Sequence, residues 1–327
     1  MKTLLAVALA ATVSTGAFAQ AFPAKPITFV VPFAAGGPTD LVARRLAEAM
    51  RKPLGGANIV VENAAGAGGT IAGTKVARAT PDGYTLLVWH IGMAATTSLY
   101  RKQQFKPLED FEYLGMINDV PMTLLGTNKL NANTYRDFES YIRANGGKLN
   151  LAHAGLGSAS HICGLMWQSA VKLDKSMTTI AYRGTGPAMN DLIGGQVDVM
   201  CDQTTNTTSQ IEGGRVKAFA VTTAKRLDNH KLLKDYPSLQ EMGLKGFNLT
   251  IWHGLYAPKG TPADVTKKLN DALQVALKDP EFIKSQEDLG AIVVTDNRVT
   301  PAGHKAFVAN EITKLKTAID AAGQFAD

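Results

Sequence analysis

The chain has 327 residues, 45% hydrophobic and 19% charged, with a formal net charge of +6. The positive excess is spread along the chain and forms no dense basic block, so no nucleic-acid partner is expected; a diffuse positive balance helps to gather small anions instead. Two cysteines, Cys163 and Cys201, cannot be the framework of a chain this long; they read equally as one disulfide, which an oxidising compartment permits, or as two small core hydrophobes.

The N-terminus comes first. Lys2 supplies a positive start, Leu4 to Val13 a short apolar run, and Ala17-Phe18-Ala19 a small-x-small cleavage site. The run is shorter than the roughly 20 residues needed to span a bilayer. Residues 1–19 are therefore read as a signal peptide, and the remainder as an exported, soluble protein without a transmembrane helix. Beyond it, strand and helix patterns alternate. Strands are expected at Ile27–Phe33, Ile59–Glu62, Tyr84–Trp89, Met122–Thr127, Leu149–Ala154, Thr179–Tyr182, Val197–Cys201, Ala218–Thr222 and Ile251–Ala257. Between them, Val42, Leu46, Ala49 and Met50 form a helical stripe, as do Ile162, Leu165, Met166, Ser169 and Ala170 behind Ser158 as a possible N-cap. Pro187 suits a helix start and Gly194-Gly195 its end. Such alternation makes an α/β fold with mainly parallel sheets, and roughly 300 residues imply two domains. No low-complexity linker separates two sequential domains. The second is therefore placed as an insertion, residues 125–226, with residues 20–124 plus 227–327 forming the first.

Two early strands run into glycine-rich turns that open helices. The first is Phe33-Ala34-Ala35-Gly36-Gly37-Pro38-Thr39-Asp40, and the second is Gly66-Ala67-Gly68-Gly69-Thr70. Helix N-termini leave backbone N–H groups without intrahelical partners, so such turns make an anion site with no charged side chain. Known anion and catalytic motifs are otherwise absent. Gly68 to Lys75 has its Lys after the Thr, unlike a P-loop, and Gly155-Leu156-Gly157-Ser158-Ala159-Ser160 lacks the third glycine of a dinucleotide fingerprint. No Gly-x-Ser-x-Gly elbow exists, and Ser169-Ala170-Val171-Lys172 lacks the rest of its family's signature. With no His-Glu-x-x-His and no Cys-x-x-Cys, neither a metal site nor a cofactor is expected. The chain reads as a binder.

A third glycine turn, Gly155-Leu156-Gly157-Ser158-Ala159-Ser160-His161, precedes Tyr182-Arg183-Gly184-Thr185-Gly186-Pro187 and Asp191-Leu192-Ile193-Gly194-Gly195-Gln196-Val197-Asp198-Val199. These blocks, with Val31-Pro32-Phe33 before the first turn, Glu62-Asn63 before the second, Pro81-Asp82-Gly83-Tyr84, Trp252-His253-Gly254-Leu255 and Ala257-Pro258-Lys259-Gly260-Thr261-Pro262, resemble the Bug family. Its members are periplasmic solute receptors of tripartite tricarboxylate transporters. The resemblance covers nearly all of the chain after the signal. It implies a two-lobed periplasmic binding protein of flytrap type (type II), working in the periplasm on a small carboxylate and passing it to inner-membrane transporter subunits. A monomer is expected. The alternatives are a ligand sensor for a membrane signalling protein and, remotely, an exported hydrolase with a nucleophile near Ser158.

The resemblance also implies that Phe33, Ala34, Gly36, Gly37, Pro38 and Thr39, with Gly66, Ala67, Gly68 and Gly69, hold a ligand carboxylate through backbone N–H groups and ordered waters. From the other lobe it implies Gly157, Ser158 and His161, then Arg183, Gly184 and Thr185, and the family's usual acid at Asp202. Each residue has a second reading. The glycines also turn the chain; Asp40 also suits a helix N-terminus; Ser158 is also an N-cap; His161 also suits a structural hydrogen bond; Arg183 could brace a hinge. Asp202 and Gln203 could bind a ligand amine or hydroxyl, or cap the strand. Trp89 and His90 stand where relatives carry small residues and suggest an aromatic carboxylate if they line the pocket. His253 departs likewise from the usual aromatic.

Overall fold

The computed structural model describes residues 22–173 and 176–322. The expected signal peptide lies outside the described residues. Among the described residues ten strands form one mixed sheet: β1 (Ile27–Val31), β2 (Ile59–Asn63), β3 (Thr85–His90), β4 (Phe111–Gly126), β5 (Asn150–His153), β6 (Thr178–Ala181), β7 (Val199–Gln203), β8 (Lys217–Val221), β9 (Thr250–Pro258) and β10 (Ile292–Val293). The helices among the described residues are α1 (Pro38–Arg51), α2 (Thr70–Ala77), α3 (Gly92–Leu99), α4 (Tyr135–Asn145), α5 (Ala159–Ala170), α6 (Thr185–Gly194), α7 (Thr204–Glu212), α8 (Ala263–Ala276), α9 (Pro280–Glu287) and α10 (Pro301–Ala322).

The strand order is β2-β1-β3-β9-β4-β7-β5-β6, with β8 and β10 also pairing with β4. β1 pairs parallel with β2 and β3, and β5 pairs parallel with β6 and β7. These two parallel sets are joined through antiparallel β9 and β4. The expected nine strands are all present, but the strand expected at Met122–Thr127 begins eleven residues earlier, at Phe111. Its first part, Phe-Glu-Tyr-Leu-Gly-Met-Ile-Asn-Asp-Val, is buried on both faces apart from the half-buried Glu112 and Asp119, so no alternation marks it.

Period-two side chains sort the first half into three layers. Phe29, Val31, Leu86 and Val88 face Val42, Leu46 and Met50 of α1 and Leu269 and Leu273 of α8, whereas Val30, Leu87 and Trp89 face the opposite core with Met93 of α3 and Val308 of α10. In the second half Leu151 and Cys201 meet Ile162 and Trp167 of α5, and Ala152 and Met200 meet Met189 and Leu192 of α6. Helix α1 forms where it does because Gly37 precedes Pro38, whose missing N–H costs nothing at a first helical position. Cys163 and Cys201 form a disulfide, Cα to Cα 6.0 Å, tying α5 to β7.

β4 carries the chain from one half to the other. Up to Pro121 it pairs with β9; from Met122 it pairs with β7. The return crossing is pinned there by Thr222, whose hydroxyl donates to Leu249 O at 2.7 Å and accepts from Met122 N at 3.0 Å. Leu227, Leu232, Leu233 and Tyr236 pack with Leu125, Met200 and Val216, and the chain next pairs with β3 and β4 at β9.

Candidate functional site

The helices α1, α5, α6 and α7 all start at the seam between the two halves. The first residues of α1, α5 and α6, with the ends of β3 and β7 and the turns after β1 and β5, line one small pocket: Phe33, Pro38, Thr39, His90, Ala154, Ser158, Ala159, Ser160, Thr185, Asp202 and Gln203. None is cationic, so attraction for an anion there comes from helix N-termini and hydroxyls. The enclosed volume is about 10 Å³, which is about the room one water needs. The halves meet directly around it. Ala34 N donates to Arg183 O at 3.0 Å and Tyr100 Oη to Leu156 O at 3.0 Å. Gly68 lies so close to Leu156 that a Cβ there would fall 1.8 Å from its carbonyl oxygen.

Asp202 is the one carboxylate of the pocket. Its Oδ2 accepts from Asn206 Nδ2 at 2.6 Å, while Oδ1 is buried with no well-formed hydrogen bond, as is Gln203 Oε1. Burial raises its pKa to about 6, although bonds from Asn206, Gln203 and Thr185 pull the other way. On the facing side, His90 stacks on Phe33 with ring centroids 4.8 Å apart. The Gly92 N–H donates to His90 Nδ1 at 3.0 Å. Burial holds this ring neutral, with its pKa lowered to about 3. A neutral ring that accepts at Nδ1 carries its proton on Nε2, so His90 is a donor there. Ser158 caps α5: its Oγ accepts from His161 N at 3.2 Å and sits 3.1 Å from Ser160 Oγ, which accepts from Ala154 N.

Seven expected site residues are brought together here: Phe33, Pro38, Thr39, His90, Ser158, Thr185 and Asp202. Others lie elsewhere. Trp89 does not line the pocket; its ring is wholly buried beneath Gly69, Gly73 and Gly92, beside Phe105, because those glycines leave room for nothing else. Asp40 turns back into its own helix start, where Oδ2 accepts from Gly36 N and pairs with Arg44 while Oδ1 accepts from Asn63. Gly36 thus has its N–H occupied. Arg183 exposes its side chain and offers only its carbonyl, to Ala34. Gly66, Ala67, Gly68 and Gly69 do not line the pocket: Gly68 abuts the 155–156 turn of the other half, Gly66 lies on Ile71 and Gly69 on Trp89, and Gly184 packs on Ala34. Gly37 faces Gly186 across the seam. Gly157 donates its N–H to His161 Nδ1 at 3.3 Å, and the His161 ring lies against His153, centroids 5.1 Å apart. Ala154, Ala159 and Ser160 escaped sequence reasoning, which looked for glycines and charges; their only mark is adjacency to Gly155 and Ser158.

The fold is that of a periplasmic binding protein. Residues 42–324 match the model of the tripartite tricarboxylate transporter family receptor, TctC, and the chain belongs to that family. It is 45% identical over 93% of its length to a protein encoded in the TAR-I ttuE-ttuC' intergenic region of Agrobacterium vitis, covering 86% of that protein. It superposes on the periplasmic binding protein BugD with a TM-score of 0.90, at 48% identity, covering 94% of this chain and all of that one. It superposes on MatC of Rhodopseudomonas palustris, solved with bound malate, with a TM-score of 0.85, at 38% identity over 91% of this chain and all of that one. Among the described residues no helix is long and apolar enough to cross a membrane.

Proposed function

We propose that the protein captures a small aliphatic carboxylate that also bears a hydroxyl or ammonium group, and delivers it to the membrane subunits of a tripartite tricarboxylate-type transporter. The observation that carries this is the pairing of helix N-termini with one buried, cation-free carboxylate in a single pocket. The termini suit an anionic group, and Asp202 Oδ1 suits a donor on the same ligand. Malate in MatC combines those two chemistries. Of the pair on which the expected preference for an aromatic acid rested, His90 lines the pocket and Trp89 does not, and the aliphatic reading follows the hydrogen-bonding groups. In this reading residues 20–124 with the chain from β9 onward form one lobe and the intervening residues the other. The lobes part along β4 and Thr222, admit the ligand and shut on it, and contacts made only in the shut state shift the population towards it.

A thermal-shift screen tests this with aliphatic and aromatic mono- and dicarboxylates, each with and without a hydroxyl or amino group. A hydroxy or amino acid of the aliphatic set should stabilise most, by about 2.7 kcal/mol at a hundredfold excess over Kd. Stabilisation by aromatic acids alone, or by no carboxylate, would overturn the proposal.

A further inference from the structure

A row of buried polar side chains leads from the pocket across the sheet to α9. His90, His253 and Asn118 are cross-strand neighbours on β3, β9 and β4. Thr39 Oγ1 lies 3.3 Å from His253 Nε2, and His253 Nδ1 lies 2.9 Å from Asn118 Oδ1. Asn118 Nδ2 donates to Gln286 Oε1 at 2.7 Å, Gln286 Nε2 to Ser285 Oγ at 3.5 Å, and Ser285 Oγ to the Phe282 carbonyl at 2.7 Å. His253, Asn118 and Gln286 are wholly buried.

The far end sets the direction of every proton in the row. A backbone carbonyl only accepts, so the single Ser285 proton is committed to Phe282 and the Ser285 oxygen accepts from Gln286. Gln286 then turns its carbonyl to Asn118, whose NH₂ donates and whose Oδ1 is left to accept. The group facing that Oδ1 is His253 Nδ1, which must carry the ring proton. Burial and the neighbouring His90 keep the His253 ring neutral, so Nε2 has only a lone pair, and it takes the Thr39 hydroxyl proton. His90, on the same row, is fixed the opposite way by the Gly92 N–H.

We propose that His253 is a positioning residue for ligand selection: it draws the Thr39 proton away from the pocket, so that Thr39 presents an acceptor and favours an acid bearing a hydroxyl or ammonium over the same acid without one. This rests on the reading of the protein as a carboxylate receptor. His90 and Thr39 thereby put a fixed donor and a fixed acceptor on one wall, made by two neighbouring histidines held in opposite tautomers.

Two measurements test it. Long-range ¹H–¹⁵N correlation spectra of the ligand-free protein, with the His253 signal identified by its loss in His253→Phe, should show the proton on Nδ1; a proton on Nε2 overturns the proposal whatever the ligand. Calorimetric titration with L-malate and with succinate, which differ by one hydroxyl, should give the wild type a preference for malate of about tenfold or more. That ratio should fall severalfold in Thr39→Val and in His253→Phe, the remaining preference resting on Asp202. Variants that weaken both acids equally, with the ratio kept, overturn it. Should His253→Phe not fold, Gln286→Leu frees the Asn118 amide to turn over from a site remote from the pocket, and should lower the ratio severalfold. If neither acid binds the wild type, the carboxylate reading fails, and the tautomer spectrum still decides the position of the proton.

Discussion

Asp202 lies wholly buried one residue before the end of β7, with no cationic side chain among the residues that line its pocket. Its pKa of about 6 stands above the roughly 3.9 of an unfolded aspartate. Between about pH 4 and pH 6 the folded protein therefore holds a proton that the unfolded chain has released, so stability falls as pH rises through that window and stays lowered above it. Asp202→Asn removes the buried charge. At pH 7 and without ligand it should raise the unfolding free energy by about 1–3 kcal/mol, and the gain should fade below pH 4. Urea denaturation at the two pH values measures this; an equal gain at both would contradict it. The same variant should bind a hydroxy or amino acid more weakly, which sets stability against function. Asp202 entered through the resemblance to the family, which implies an acid there; the residues alone left it as a ligand contact or a strand cap. Asp40 looked equivalent, yet its carboxylate is consumed by Gly36, Arg44 and Asn63. Gly36 and Arg44 lie within a turn of Asp40, but Asn63 is on β2, and its spacing from Asp40 carries no local signal.

The glycine turns act at the scale of elements. Their sequence announces helix N-termini and tight chain reversals, and both are present. What the turns touch was not legible: each turn of one half lies against a turn of the other, with Gly68 on Leu156 and Gly184 on Ala34. Gly184 offers a clean probe, because its φ of 166° is an extended conformation open to any residue. A Cβ there would meet Ala34 N at 2.9 Å and Phe33 Cβ at 3.4 Å, so Gly184→Ala should prop the seam open without straining its own backbone. Ligand affinity should drop about tenfold or more while the melting temperature of the ligand-free protein changes little, as titration calorimetry and thermal melts will show. Unchanged affinity would mean that the seam does not close on the ligand. Trp89 belongs to this scale too. An aromatic at a strand end reads as a pocket wall until the elements are packed, and then Gly69, Gly73 and Gly92 are seen to roof it over.

At the scale of the whole molecule, the two halves share the long strand β4 and one apolar cluster that reaches from Trp89 to Trp167. The Cys163–Cys201 disulfide closes a loop of 38 residues within the second half. By loop-closure entropy it should stabilise by about 3–4 kcal/mol. Cys163→Ser with Cys201→Ser should lower the unfolding free energy by that amount in urea, with ligand affinity little altered, since neither sulfur lines the pocket. A loss of affinity matching the loss of stability would show instead that the bridge shapes the site.

The alternation of apolar strands, glycine turns and amphipathic helices determined by itself the α/β class and the places where helices begin. Both of these follow from contacts within a few residues of one another. Three matters were settled only by tertiary structure: that β4 runs unbroken across both halves, that Trp89 and Asp40 face inward while Thr39, His90 and Asp202 share one pocket, and that His253 sits between Thr39 and Asn118. Thr39 and His253 are 214 residues apart in sequence. A hydrogen bond between two such residues, and the direction of its proton, depends on the packing of three strands and two helices at once, and no local pattern encodes it.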